Sequence, residues 1–307
     1  MRQVEYSVVV PVYNSKDTLR ELYDRISKTF ESSIKTYEVI FVEDGGQDTS
    51  WDVLDSLKAE FPEHITAIKL NKNYGQHNAT ICGFQFASGD YVITIDDDLQ
   101  NPPEEIPKLI EVLEAQDPDV VYGLYDKKQH SKIRNIGSAS VKKTSKLLLK
   151  GLGKGSSFRL IKKDLVDKLL EHHNHFMFID EVLLWYTNNF SFVLVDHQKR
   201  ISGRSGYTRK KLVNMISDLV YFYTSIPLKL MVWGGLIVSF ITFLLGIQFI
   251  LRKLLYDTPL GYTSLIVTIL FSTSIIVFSL GVIGGYLSRI YMVQNKKPPF
   301  SIQKVLE

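Results

Sequence analysis

The chain has 307 residues, a formal net charge of +3, 45% hydrophobic and 22% charged residues, and one cysteine, Cys82. That composition excludes a disordered chain and a collagen-like repeat, and a disulfide scaffold needs more than one thiol. The near-zero mean hydropathy hides a division: residues 229–307 hold seven Lys or Arg and two Asp or Glu, against 29 and 31 in residues 1–228.

Residues 1–125 alternate between two periodicities. Tyr6–Val12 (YSVVVPV) is a β-branched run ended by Pro11 and Asn14, and residues 16–30 have helical spacing through Leu19, Leu22, Ile26 and Phe30. The pattern then predicts a strand at Tyr37–Val42, a helix at Trp51–Phe61, a strand at Ile65–Leu70 and a helix at Asn78–Ala87. A strand at Tyr91–Ile95, a helix at Glu104–Ala115 and a short strand at Val120–Tyr122 follow. Strands alternating with helices predict an α/β domain with a predominantly parallel sheet covered on both faces. In such sheets ligands bind beyond the C-terminal ends of the strands.

The chemistry-bearing residues fall at those ends. Pro11-Val12-Tyr13-Asn14 follows the first strand, Glu43-Asp44-Gly45-Gly46 the second, and Asp96-Asp97-Asp98-Leu99-Gln100 the fourth. No G-x-G-x-x-G follows the first strand and no G-x-x-x-x-G-K-[ST] is present, which disfavours a dinucleotide dehydrogenase and a P-loop ATPase. Three successive aspartates repel one another unless a cation neutralises them, and hard carboxylate oxygens select Mg²⁺ or Mn²⁺ shared with substrate phosphates. On an extended backbone, alternation places Asp96 and Asp98 on one side and Asp97 on the other. A solvated acidic cap on the next helix is the alternative. Asp44 has two readings as well, a ligand contact or a plain Asp-Gly turn.

From Lys127 to Lys163 there are twelve Lys or Arg and no acid, and Lys199–Lys211 adds six more, again with no acid. Such a patch fits a phosphorylated substrate or anionic lipid headgroups. The arginines Arg134, Arg159, Arg200 and Arg204 are the phosphate candidates, because a guanidinium binds phosphate bidentately. No nucleic-acid recognition motif accompanies them. Residues 209–228 have helical apolar spacing through Leu212, Met215, Ile216, Leu219 and Tyr223, fitting an amphipathic helix on a membrane surface.

Leu230–Leu251 is 22 residues without a charge, between Lys229 and Arg252. A helix of that length at ~1.5 Å per residue crosses the ~30 Å hydrocarbon core. A second uncharged stretch runs from Thr258 to Ser288, with its membrane span expected at about 263–287 and small residues Gly281, Gly284 and Gly285 that suit helix packing in lipid. The short connection Arg252–Asp257 predicts a hairpin. Basic residues on its outer flanks place both termini in the cytoplasm by the positive-inside bias. The N-terminal residues lack the apolar core of a signal peptide, and a lone cysteine agrees with a reducing compartment. The expected organisation is a cytosolic domain over 1–208, an interfacial helix over 209–228, two membrane helices over 229–290 and a cytosolic tail over 291–307.

Several of these motifs together resemble family 2 glycosyltransferases. They are V-V-V-P-V-Y-N (Val8–Asn14), V-E-D-G (Val42–Gly45), I-D-D-D-L-Q-N-P-P-E (Ile95–Glu104), F-R-L (Phe158–Leu160), R-I-S-G-R-S-G-Y-T (Arg200–Thr208) and G-V-I-G-G-Y-L-S-R-I-Y (Gly281–Tyr291). Within that family they resemble the polyprenyl-phosphate glycosyltransferases, over nearly the whole chain. The resemblance implies a GT-A fold, a UDP-, GDP- or dTDP-linked sugar donor, a divalent metal and a polyprenyl phosphate acceptor. It also implies inversion at the anomeric carbon, a bacterial-type inner membrane location and a homo-oligomer, a tetramer in that family. Pro11, Tyr13, Glu43, Asp44 and Asp97 match nucleotide-sugar positions. Asp96, Asp98 and Gln100 match the metal site, and Arg134, Arg159, Arg200 and Arg204 match phosphate contacts.

Three departures stand out. Gly46 replaces the serine of D-G-S, and Ser157 stands before F-R-L where an acid is frequent. Phe178-Ile179-Asp180-Glu181 replaces a basic, glycine-containing segment. Asp180 or Glu181 is then either a catalytic base or a cap on the helix through Trp185. The loop Asn73-Tyr74-Gly75-Gln76-His77 has a family counterpart and no assigned role.

Overall fold

The computed structural model describes residues 4–33, 35–125, 156–171, 178–198, single helical positions between 231 and 255, 262–294 and 298–307. It divides into two compact units: residues 1–143, 151–206 and 296–307 in one, residues 144–150 and 207–295 in the other.

The first unit is built on an eight-stranded sheet. β1 (Tyr6–Val12) is buried at all seven positions, as expected of an uncharged β-branched run covered on both faces. β2 (Tyr37–Glu43), β3 (Ile65–Leu70) and β4 (Tyr91–Thr94) run parallel to it, with Val8 of β1 level with Val39 of β2 and Ile93 of β4. The side chains of β1 divide by alternation. Tyr6, Val8, Val10 and Val12 join a core with α1 (Leu19–Ser33), α2 (Ser50–Glu60) and α4 (Ile106–Gln116). On the opposite face α3 (Gln76–Phe84) packs on β1 and β2. A Cβ on Gly83 of α3 would lie 2.4 Å from Val9 Cγ1, so glycine sets that close approach.

Beyond β4 the sheet departs from a simple alternation. Its order is β7-β5-β6-β4-β1-β2-β3-β8, with β5 (Val120–Leu124), β6 (Arg159–Lys162), β7 (Phe190–Leu194) and β8 (Ile302–Leu306). β6 enters between β4 and β5 antiparallel to both, and β8 pairs antiparallel with the edge of β3. The parallel expectation therefore holds for β1 to β4 and for β5 with β7, while the sheet as a whole is mixed. α5 (Lys163–Leu170) follows β6, and α6 (Ile179–Tyr186) precedes β7. The C-terminal residues, expected as a tail, supply β8.

In the second unit α7 spans Tyr262–Gln294, 33 residues. Counted over the described residues, no helix is long and apolar enough to cross a membrane. The expected interfacial helix over 209–228 lies outside the described residues, and Leu230–Leu251 is described only at single positions.

Candidate active site

The three strands that carry motifs each end in a left-handed turn. Asn14 (φ 54°) follows β1, Gly45 (φ 63°) follows β2 and Leu99 (φ 58°) follows β4. The turns are tied to one another. Asn14 Oδ1 accepts from Gln47 N at 2.7 Å, Ser15 N donates to Ser50 Oγ at 2.9 Å, and Lys16 N donates to Asp48 at 3.1 Å. At Gly45 a Cβ would fall 2.3 Å from the Lys72 carbonyl carbon, so both the φ and the space require glycine.

Glu43 and Asp44 are buried and bind backbone. Asp44 accepts from Tyr74 N at 2.7 Å through Oδ1 and from Gly75 N at 2.8 Å through Oδ2. Burial lifts its pKa to about 6, partly offset by those two amides. Glu43 Oε1 accepts from Gly46 N, and burial pushes its pKa up as well. A Cβ at position 46 would lie 2.8 Å from Asn14 Oδ1 and 2.9 Å from Glu43 Oε1. The glycine at 46 thus permits the Glu43 contact in this tightly closed turn. Through these two amides Asp44 orders the loop at 73–77.

The three aspartates after β4 take three roles. Asp97 turns into the protein, accepting from Tyr13 N at 2.9 Å and from the Ser15 hydroxyl, and burial raises its pKa to about 6. It positions the β1 turn, and with it the half-exposed ring of Tyr13. Asp96 is gripped from both sides: Oδ1 accepts from Gln76 Nε2 at 2.6 Å, and Oδ2 from Ser157 Oγ at 2.6 Å. Asp98 Oδ1 accepts from Gln100 N at 3.1 Å, a local turn that brings those two residues together. Among the described residues no three His, Cys, Asp or Glu side chains cluster to hold a metal. The expected set contains two carboxylates and a carboxamide, an all-oxygen donor set that fits Mg²⁺ or Mn²⁺ completed by substrate oxygens.

A pocket of about 200 Å³ opens beside Asp96, lined among others by Pro11, Gln76, His77, Arg159, Phe178 and Asp180. Its floor is a buried polar network. Arg159 stands in register with Thr94 of β4 and Tyr122 of β5, so the three side chains share one face. Its Nε donates to Thr94 Oγ1 at 3.2 Å, its Nη1 pairs with Asp180 Oδ1, and Tyr122 donates to the same oxygen at 2.9 Å. The Arg159 guanidinium, a phosphate candidate, is paired here with Asp180, and Asp180, read as either a base or a helix cap, lies in the first turn of α6 as that ion-pair partner. Glu181, next to it, is buried, and burial together with the Asp180 charge lifts its pKa to about 7. His77 packs against the Phe178 ring with centroids 4.5 Å apart, and burial holds its pKa down to about 4.

Two lysines of the basic run serve the surface. Lys162 pairs with Asp117 at 2.7 Å and Lys163 with Asp167 at 2.8 Å. Arg134, Arg200 and Arg204 lie outside the described residues. The sequence marks Gln76 and His77 without a role, and does not mark Thr94 or Tyr122. The N-Y-G-Q-H loop signalled the first two, whereas Thr94 and Tyr122 read as ordinary strand residues.

The model of the family described as glycosyl transferase family 2 matches residues 7–183. The chain belongs to that family. The match in this glycosyltransferase ends inside α6, so it takes in every carboxylate described above but stops before β7, α7 and β8. Longer similarity comes from curated relatives. The undecaprenyl-phosphate 4-deoxy-4-formamido-L-arabinose transferase of Yersinia enterocolitica is 33% identical over 98% of this chain and 93% of its own length. The transferase of the same name from Shewanella sediminis is 35% identical over 98% of this chain and 92% of its own. Among solved structures, mannosyl-3-phosphoglycerate synthase from Rubrobacter xylanophilus superposes with a TM-score of 0.53 at 16% identity, covering 76% of this chain and 75% of that one. Glucosyl-3-phosphoglycerate synthase from Mycobacterium tuberculosis, solved with Mn²⁺, UDP and glucosyl-3-phosphoglycerate, gives 0.50 at 16% identity over 71% and 78%. These two show that the GT-A type fold is shared.

Proposed function

We propose that this glycosyltransferase moves a sugar from a nucleotide-sugar donor to undecaprenyl phosphate, or a polyprenyl phosphate like it, at the cytoplasmic face of a bacterial inner membrane. The observation that carries the reading is the length of the relationship: the undecaprenyl-phosphate transferases match 98% of the chain, including the stretch beyond the family domain.

The site's chemistry suits that acceptor. A phosphate monoester has a second pKa near ~6, so its oxygen is largely anionic at neutral pH and attacks the anomeric carbon without a strong base. The new C–O bond forms as the bond to the nucleoside diphosphate breaks, and the diphosphate leaves with the electron pair. The arrangement of Asp180 agrees, because its Oδ1 is occupied by Arg159 and Tyr122. Asp96, Asp98 and Gln100 would hold the divalent ion, which as a Lewis acid stabilises the departing diphosphate. Tyr13, pinned by Asp97, offers an aromatic face to the nucleotide, and the pocket beside Asp96 has room for the sugar. Arg134, Arg200 and Arg204 supply the charge that draws the acceptor phosphate.

The membrane hairpin belongs to the same reading. α7 is uncharged from Tyr262 to Ser288, and Leu265, Ile269, Phe271, Ile276, Val277 and Phe278 along it are exposed. β8 pairs with β3 in the sheet that carries the candidate site, so a membrane segment before it would leave and return on one side of the bilayer, which an even number of crossings satisfies. A homotetramer is the assembly carried by this reading, and light scattering in detergent reports it.

The test is transfer by purified full-length protein from labelled UDP-, GDP- and dTDP-sugars, UDP-4-deoxy-4-formamido-L-arabinose among them, with undecaprenyl phosphate and Mg²⁺ or Mn²⁺. A lipid-linked sugar that requires both acceptor and metal is expected with one donor class. Failure of every donor to label the lipid overturns the proposal.

A further inference from the structure

We propose that Gln76 and Ser157 are positioning residues for Asp96, and that the loop at 73–77 serves to present Gln76 to it. The inference rests on the metal reading of the site and assigns a role to the one sequence motif that reading leaves idle.

The geometry begins at the end of β2. Asp44 receives the backbone amides of Tyr74 and Gly75 on its two oxygens, at 2.7 and 2.8 Å. Gly75 adopts φ 91°, which glycine tolerates and which turns the chain directly into α3. Gln76, the first residue of α3, is thereby fixed with its carboxamide at Asp96, Nε2 to Oδ1 at 2.6 Å. From the other side of the pocket Ser157, just before β6, donates its hydroxyl to Oδ2 at 2.6 Å. Thr94 Oγ1, at the end of β4, donates to the Ser157 carbonyl and so holds the serine in place.

Two donors from different elements fix both the rotamer and the plane of the carboxylate. Groups of this kind orient a metal ligand before the metal arrives, and their loss typically weakens metal binding 10–100-fold. An acid at position 157 would set a second negative charge against Asp96, whereas a hydroxyl donates to it. Serine at 157 is therefore a functional choice for this chain, in which Asp96 needs a donor at that point.

The experiment uses full-length protein in detergent with UDP, titrated with Mn²⁺ while the free-ion signal is followed by electron paramagnetic resonance. Gln76→Ala and Ser157→Ala are each expected to raise the Mn²⁺ dissociation constant about tenfold or more. Ser157→Thr, which keeps the hydroxyl, is expected to stay within about threefold of the parent, below that range. Melting temperatures recorded alongside separate a positioning effect from loss of the fold. Parent-like Mn²⁺ affinity in both alanine variants overturns the positioning role and leaves the metal reading intact. A parent protein that binds no Mn²⁺ overturns the metal reading, and this inference with it.

Discussion

Arg159 is 3% exposed, and its charge is balanced inside the protein by Asp180, with Thr94 and Tyr122 completing the network. Removing one partner of a buried pair strands the other, at a cost of roughly 3–5 kcal/mol. Asp180→Ala should therefore lower stability by about that amount in denaturant melts, while Asp180→Asn, which keeps an acceptor for Tyr122, should cost less. Parent-like stability in Asp180→Ala would show that the ion pair is not structural. Glu181 acts through pH. Its pKa is lifted to about 7 by burial and then by the Asp180 charge, against an ordinary value of 4.5. Between those values the folded protein binds a proton that the unfolded chain has released, so stability falls as pH rises. The loss is on the order of 3 kcal/mol once the group is ionised. Glu181→Gln should remove this part of the decline, so its melting temperature, measured from pH 5 to pH 8, should fall less steeply than the parent's. Parallel curves would refute the shift.

At the scale of elements, β8 closes the edge of the sheet that β3 would otherwise expose. Asn71 N donates to Ser301 O at 2.9 Å and Asn71 Nδ2 to Ser301 Oγ at 2.7 Å, while Lys304 lies 5.6 Å from the Trp51 ring centroid. An open edge strand recruits other chains. Deletion of residues 298–307 should lower the melting temperature and promote aggregation, read by light scattering at fixed protein concentration; a monodisperse truncation with the parent's melting temperature would refute the closing role. The same strand shows where the sequence stops being legible. β1 to β4 are apolar enough for period and flanking turns to mark them, and the expected bounds of β1 and β3 are the observed ones. β6 is four residues with a basic residue at each end, and β8 is five with Gln303 and Lys304 inside. Both are strands because of what they pair with, which local pattern does not carry. The site followed the same rule. The positions at strand ends are legible, but which of those carboxylates bind backbone depends on turns such as the left-handed Leu99.

For the whole molecule the proposed hairpin makes a claim about sides. β8 pairs with β3 in the sheet that carries the candidate site, so on the proposed reading the C-terminus would share the side of that site and the connection at 252–257 would lie on the other. The lone Cys82 makes this measurable. It is fully buried, and burial lifts its thiol pKa to about 12, so it carries almost no thiolate at neutral pH. Cysteines introduced as Asp257→Cys and Glu307→Cys would thus react with a membrane-impermeant maleimide over a low background. In intact spheroplasts of an expressing bacterium, Asp257→Cys should be labelled at once and Glu307→Cys only after lysis. Labelling of Glu307→Cys before lysis would place an odd number of crossings between catalytic unit and C-terminus, incompatible with β8 pairing to β3 in the same chain. Protection of both until lysis would leave the unit on the cytoplasmic face but remove the hairpin, reducing α7 to a helix that lies on the membrane surface.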